Sequence, residues 1–248
     1  MKYTVVFLLG GLALMVLAAL AGGPAWALLW PGVDLLLLSA IYGQNRADWL
    51  GKTADGRMRP LVVAVLLPYF VLTWLTWHLF RRITPEATSN EVAPGIRVGR
   101  RPFSADLLPD TALVVDLTAE FAVAAGVADR VEVLVIPTLD ARAPTPEVLA
   151  SGVARVLACG GPAYIHCAAG HGRSATLASA VLVARGDAPT IDAAEKLMQR
   201  ARPAIHLHRV QRLCAEQAAL IAQSLIPAPD AGARPDQPDP SEPDPAAG

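Results

Sequence analysis

Residues 164–176 read YIHCAAGHGRSAT. Tyr164 and Ile165 close an apolar run that begins near Pro162, Gly170 and Gly172 interrupt it, and Ser174 opens an Ala/Leu-rich stretch with helical spacing. The stretch therefore predicts a buried strand, a tight loop and a helix N-terminus. The same alternation continues on both sides. GIRVG (Gly95–Gly99), ALVVDL (Ala112–Leu117) and VEVLVIP (Val131–Pro137) join PAYIHC (Pro162–Cys167) as strands, and residues 145–158, 174–184, 191–201 and 209–225 have helical spacing. Thr145 before Pro146 marks a helix start, with the hydroxyl as cap and proline where no N–H is needed. Strand–helix alternation predicts an α/β fold with a mostly parallel central sheet flanked by helices.

A cysteine at the end of such a strand has a chemical reading. A thiol becomes a strong nucleophile only as its thiolate, and a helix N-terminus stabilises that anion through unpaired N–H groups and the positive end of its dipole. Ala168 to Gly172 can curl around Cys167 with amides pointing inward, because glycines and small side chains permit the turn and the close approach of an anion. Arg173 then offers a planar fork suited to two phosphate oxygens. Ser174 is placed to donate a hydrogen bond to the departing thiolate. The ensemble is an anion cup, made by Ala168, Ala169, Gly170, His171, Gly172 and Arg173, with a sulfur nucleophile beneath it.

The motif HCxxGxxRS, His166 to Ser174, resembles the signature of the cysteine-dependent protein tyrosine phosphatase superfamily, and the resemblance over about Glu91 to Leu225 is to the compact dual-specificity branch. It implies hydrolysis of phosphate monoesters through a phosphocysteine, with no cofactor and no metal. It also implies that His166 supports the thiolate through hydrogen bonds behind the loop. The general acid is expected on a loop opposite the cup, and Asp140 in VIPTLDARAPTPE occupies the similar place; Asp116 at the end of VVDL is the competitor. ARPAIHLHRVQRL resembles the family's bracing segment, which makes Arg202 and Gln211 structural supports. Phosphoinositide-selective members carry lysines inside the signature loop, whereas this chain has Ala168, Ala169, His171 and Gly172, which weakens the case for a highly charged inositol phosphate.

The remainder of the chain places this domain. Tyr3–Ala21 and Leu61–Phe80 lack Asp, Glu, Lys and Arg, and Ala25–Tyr42 has only Asp34. Each approaches the roughly 20 residues a helix needs to cross about 30 Å of hydrocarbon. Residues 1–82 are therefore expected to be a membrane region with two or three transmembrane helices, residues 83–94 a linker, residues 95–226 the catalytic domain, and the Pro/Asp-rich residues 227–248 a disordered tail. Lys2, the first apolar run and AWA at Ala25–Ala27 also fit a cleavable leader, though two further apolar segments follow. Asp34, an acid inside an apolar segment and so a functional suspect, is expected to play a structural part, against a helix partner or near the interface; with Pro31 it also fits a segment that dips into the bilayer without crossing. Formal net charge is −1 with no basic stripe, which argues against nucleic acid as a partner. The three cysteines, Cys159, Cys167 and Cys214, lack zinc-site spacing and suit reducing surroundings.

Four basic residues between the second and third segments prefer the cytoplasm, which with three spans would send the catalytic domain outside; Arg81, Arg82 and the reactive thiol argue for a cytoplasmic one. The leading expectation is a multi-pass membrane phosphatase acting on phosphotyrosine, and on phosphoserine or phosphothreonine, in proteins. A phospholipid phosphatase of the phosphatidylglycerophosphate type is the alternative. A catalytically silent phosphate-binding scaffold is the third reading, against which the intact Cys167, Arg173 and Asp140 stand. Oligomeric state is not legible.

Overall fold

The computed structural model describes residues 2–225; the tail expected to be disordered lies outside the described residues. Helices α1 (Lys2–Ala21), α2 (Leu29–Gln44), α3 (Pro60–Val65) and α4 (Leu67–Ile83) precede a five-stranded sheet. Its strands are β1 (Ser89–Ala93), β2 (Ile96–Arg100), β3 (Leu113–Thr118), β4 (Glu132–Thr138) and β5 (Ala163–Cys167), in spatial order β1-β2-β5-β3-β4. Only the β1–β2 pair is antiparallel. Helices α5 (Pro146–Leu157), α6 (Arg173–Arg185), α7 (Ile191–Ala201) and α8 (Arg209–Leu225) flank it. The fold is thus the α/β class that the alternation predicts.

Strand β5 is buried along its whole length, and α6 is buried from Arg173 to Leu182, so the loop between them starts and ends in rigid structure. One core cluster joins Val115, Ile165, Leu177, Val181 and Ala215 across sheet and helices. Parallel strands bring their C-terminal ends to one edge, and the ends of β3, β4 and β5 therefore converge where Cys167 emerges.

Two expectations are corrected. Ser89–Ala93, expected within a linker, forms edge strand β1 on β2. Its polar sequence SNEVA suits an edge, where only one face and one flank are buried. Leu61–Phe80, expected as one continuous span, is broken at Leu66 (φ −95°, ψ 26°) into α3 and α4. Pro68 is the cause, since it donates no N–H and its ring clashes with the preceding turn. The break frees the N–H of Tyr69, which donates to Asp34 Oδ2 at 2.7 Å, so the acid in α2 caps α4.

Among the described residues, two helical stretches are long and apolar enough to cross a membrane, Lys2–Ala21 and Gly23–Gln44. They run antiparallel. Ser39 Oγ donates to Thr4 O at 2.9 Å, and a Cβ on Gly11 would lie 2.8 Å from Gly32 O, the close approach that small residues permit between apolar helices. Leu38, Ile41, Tyr42 and Leu66 then pack with Leu50, Ala119 and Leu139, which ties the helices to the loops after β3 and β4.

Candidate active site

The loop after β5 is held from outside by its carbonyls. Ala168 O accepts from Trp77 Nε1 (3.0 Å) and Arg101 N (3.3 Å), and His171 O accepts from His206 N (3.3 Å). Arg202 donates to Ala169 O (2.9 Å) and Gly170 O (3.0 Å). In a trans peptide the N–H points opposite to the preceding carbonyl, so four carbonyls turned outward aim the amides of Ala169, Gly170, His171 and Gly172 into the cup. Gly170 N donates to Cys167 Sγ at 3.2 Å, as that argument requires. Gly170 itself has φ +81°, and a Cβ there would lie 2.3 Å from Gly99 C, so no other residue fits.

Cys167 is buried, with its Sγ 3.5 Å from Ser174 Oγ. Arg173 begins α6 and is almost fully buried. Its Nη1 donates to Glu120 Oε2 (2.8 Å) and Thr138 O (2.9 Å), and its Nη2 to Glu120 Oε1 (2.7 Å). Burial works against the Arg173 charge, but the paired Glu120 outweighs it and fixes the guanidinium as a cation. Burial likewise opposes ionisation of Glu120, and Arg173 holds that carboxyl below its ordinary value. Arg173 Nε is buried without a hydrogen-bond partner. It is a donor left for an anion in the cup.

Asp140 lies on the loop after β4 with its side chain 60% exposed and Oδ1 3.5 Å from Arg173 Nε. It lines the same cleft as Cys167 and Arg173. The next residue, Ala141, has φ +54°, a left-handed conformation that turns the chain sharply after Asp140. Asp116, the competing acid, is fully buried and does not line the cleft. Its Oδ1 accepts from Thr118 N (2.8 Å) and Thr118 Oγ1 (2.7 Å), and its Oδ2 from Lys52 Nζ (2.6 Å). Burial raises the Asp116 carboxyl, but His166, Lys52 and Thr118 together more than offset this and hold it at about 2.

His166 sits behind the loop, with Nδ1 3.4 Å from Cys167 O and Nε2 3.9 Å from Asp116 Oδ1. Burial first, with Lys52 and Arg101 adding, pushes its imidazole down to about 4, so the ring is neutral at pH 7. His171 pairs with Glu86 Oε2 at 2.7 Å, and the same oxygen accepts from Arg202 Nη2 at 2.9 Å. Gln211 donates to Arg142 O at 3.2 Å, which links α8 to the loop after β4.

The cleft above the cup has a volume of about 640 Å³. One wall is the loops after β3, β4 and β5. The other is made by the apolar helices: Tyr3 from α1, Tyr42 from α2, and Tyr69, Thr73, Trp77 and Phe80 from α4. This wall and Glu120 were not legible in the sequence. A signal for Glu120 exists: it follows a strand whose C-terminal end shares the sheet edge with Cys167. Among the described residues no cluster of metal-ligating side chains occurs.

Residues 105–219 match the family model described as "PTP-SAK: Swiss Army Knife protein, DSP-PTPase phosphatase domain". The match supports a phosphatase domain of the cysteine-dependent tyrosine and dual-specificity superfamily in this part of the chain. Among solved structures, PTPMT1 in complex with PI(5)P is similar at TM-score 0.49 and 21% identity, over 56% of this chain and 98% of that one. Tk-PTP in its active form is similar at TM-score 0.45 and 24% identity, over 56% and 98%. Human DUSP28 is similar at TM-score 0.43 and 18% identity, over 56% and 97%. No curated protein matches the chain.

Proposed function

We propose that the chain is a membrane-anchored phosphatase that hydrolyses phosphate monoesters through a phosphocysteine on Cys167, and that its substrate phosphate is carried by a lipid. The cup of inward amides and Arg173 Nε, which makes no hydrogen bond within the protein, bind the dianion and aim phosphorus at Sγ. The thiolate attacks, the ester P–O bond breaks, and Asp140 gives its proton to the leaving oxygen. Water then attacks the phosphocysteine with Asp140 taking its proton, the S–P bond breaks, and Ser174 Oγ donates to the departing thiolate.

The observation that favours a lipid is the second wall of the cleft. Tyr3, Tyr42 and Tyr69 come from helices whose outer faces carry exposed Val6, Leu9, Leu17, Leu72 and Leu79. A bilayer around those faces would hold a lipid headgroup beside the cup. The N-terminus of α1, the C-terminus of α2, the loop that follows, and Arg81–Arg82 in the last turn of α4 are on the side of the cleft. Arg46, Arg57 and Arg59 in that loop, together with Arg81 and Arg82, favour a cytoplasmic face here under the positive-inside rule. A hairpin of two spans removes the conflict that three spans create. The aromatic lining also suits a phosphotyrosine ring, which is the second reading.

The test compares the purified full chain on a lipid phosphate monoester in vesicles with a phosphotyrosyl peptide and a phosphoseryl peptide. The lipid reading expects kcat/KM at least about tenfold higher on the lipid, a difference of roughly 1.4 kcal/mol in transition-state binding. Preference for the tyrosyl peptide with inert lipid selects the second reading, and no turnover of either defeats both.

A further inference from the structure

Behind the nucleophile lies a buried lysine that the mechanism above does not use. Lys52 belongs to the loop between α2 and α3, yet its side chain is fully buried beneath β3. Its ammonium donates to Asp116 Oδ2 (2.6 Å), Thr118 O (2.8 Å) and Thr118 Oγ1 (2.9 Å), so all three protons are used. The loop is fastened around it. Lys52 bridges to Met58, and Gly56 O accepts from Val123 N at 2.8 Å. Asn45 Nδ2 donates to Ala143 O at 3.0 Å, which reaches the loop after β4.

We propose that Lys52 is a positioning residue of the catalytic loop: its ammonium, bonded to Asp116 Oδ2, holds that carboxylate behind His166 and keeps it from pairing with the imidazole that precedes Cys167. The proposal rests on Cys167 being the nucleophile. The groups around this centre are few. His166 is faced by Asp116 from β3, Lys52 and Arg101 from the flanking loops, Tyr164 on its own strand and the Cys167 carbonyl; Lys52 is faced by Asp116, Glu120 and Arg101. Arg101 donates to Ala122 O and stacks on Trp77 and Phe121, so it is occupied elsewhere. Lys52 is the cation bonded directly to Asp116.

Removing the ammonium leaves a buried carboxylate with no counter-charge. The nearest group able to supply one is His166, whose Nε2 is 3.9 Å from Asp116 Oδ1. The imidazole would take a proton from solvent and become an imidazolium paired with Asp116. A fixed positive charge would then sit beside the catalytic loop, and the reaction would acquire a pH dependence it lacks with Lys52 present. An opposite charge at this distance shifts an ionisable group by about one to three pH units.

The experiment uses the full chain in lipid nanodiscs with 15N-labelled histidine, reading imidazole protonation from pH 4 to pH 8 alongside hydrolysis of an aryl phosphate. In the unaltered protein the His166 signal should remain neutral down to about pH 5; an imidazolium at pH 6.5 overturns the proposal without any variant. In Lys52→Met the His166 midpoint should rise by about one to three units, and kcat should acquire a pH dependence with that same midpoint. An unmoved midpoint, or a kcat that does not follow it, overturns the proposal. If Lys52→Met does not fold, Lys52→Met/Asp116→Asn, which removes both charges, decides. Neutral His166 with at least partial recovery of kcat supports the proposal. A folded double variant with neutral His166 and no activity assigns Lys52 to structure alone and overturns it. The imidazole readout needs no turnover, so failure of the phosphocysteine mechanism would be seen separately, as activity that survives Cys167→Ser.

Discussion

Replacing Asp140 by asparagine keeps the size of the side chain and removes its proton. Two losses follow, and their sizes differ. The ion pair with Arg173 Nε is 3.5 Å long with the carboxylate 60% exposed, so losing it costs at most about 1 kcal/mol. Losing the general acid costs about 10²–10⁴-fold in rate, or roughly 3–5 kcal/mol, when the leaving oxygen is a poor anion. The proton therefore dominates. For an alkyl phosphate, or a phosphotyrosyl peptide, kcat should fall by at least about a hundredfold. For an aryl ester whose phenolate is already stable, the fall should stay within about tenfold, which is all the charge loss can explain. Steady-state kinetics on a series of leaving groups reads this as a steeper dependence of log kcat on leaving-group acidity in the variant. The basic limb of the pH–rate profile, where the proton donor is lost, should flatten. Equal losses across the series, with the basic limb intact, would refute the assignment of Asp140.

Glu120→Gln leaves the Arg173 guanidinium buried without its bidentate partner. Breaking such a pair costs about 3–5 kcal/mol of stability, so the thermal midpoint should drop, and kcat/KM should fall with it; an unchanged midpoint and KM would show that Thr138 O alone holds the arginine. Acid should destabilise the protein well above the range of ordinary carboxylates. His166 is held at about 4, so below about 6.5 the unfolded chain binds a proton that the folded chain refuses, and stability falls as pH drops towards 4. The loss is roughly 3 kcal/mol between pH 7 and pH 4. Asp116, held at about 2, adds a loss only below about pH 4, as the unfolded carboxyl protonates first. Unfolding midpoints from pH 7.5 to pH 4.5 should therefore decline, and decline less in His166→Asn; identical slopes in the two proteins would count against the buried neutral ring.

What the sequence made legible was local. The strand, loop and helix around Cys167 follow from period, glycine and small-residue signals within 13 residues, and β5, the signature loop and α6 stand where those signals put them. What it hid depended on distant partners. Lys52 reads as one more basic residue in a polar loop, because the carboxylate that buries it is 64 positions away. Leu61–Phe80 has the composition of a span, and hydropathy does not register that Pro68 breaks the helix at Leu66 while Asp34 caps the new one. Ser89–Ala93 lacks the apolar alternation of a strand because it lies at a sheet edge. The wall of Tyr3, Tyr42, Tyr69 and Trp77 is assembled from three helices, and no spacing in the chain announces it.

On the proposed mechanism, phosphate passes through sulfur on Cys167. Ser174 Oγ lies 3.5 Å from Sγ, where a hydroxyl bond to the departing thiolate speeds the second step more than the first. In Ser174→Ala the phosphoenzyme should therefore accumulate. Rapid quench of that variant during turnover of an aryl phosphate, followed by peptide mass analysis, should find a phosphoryl group on the peptide containing Cys167 and a burst of phenol approaching one per active site. Continued turnover with no adduct on Cys167, or with the phosphoryl group on another residue, would contradict the account.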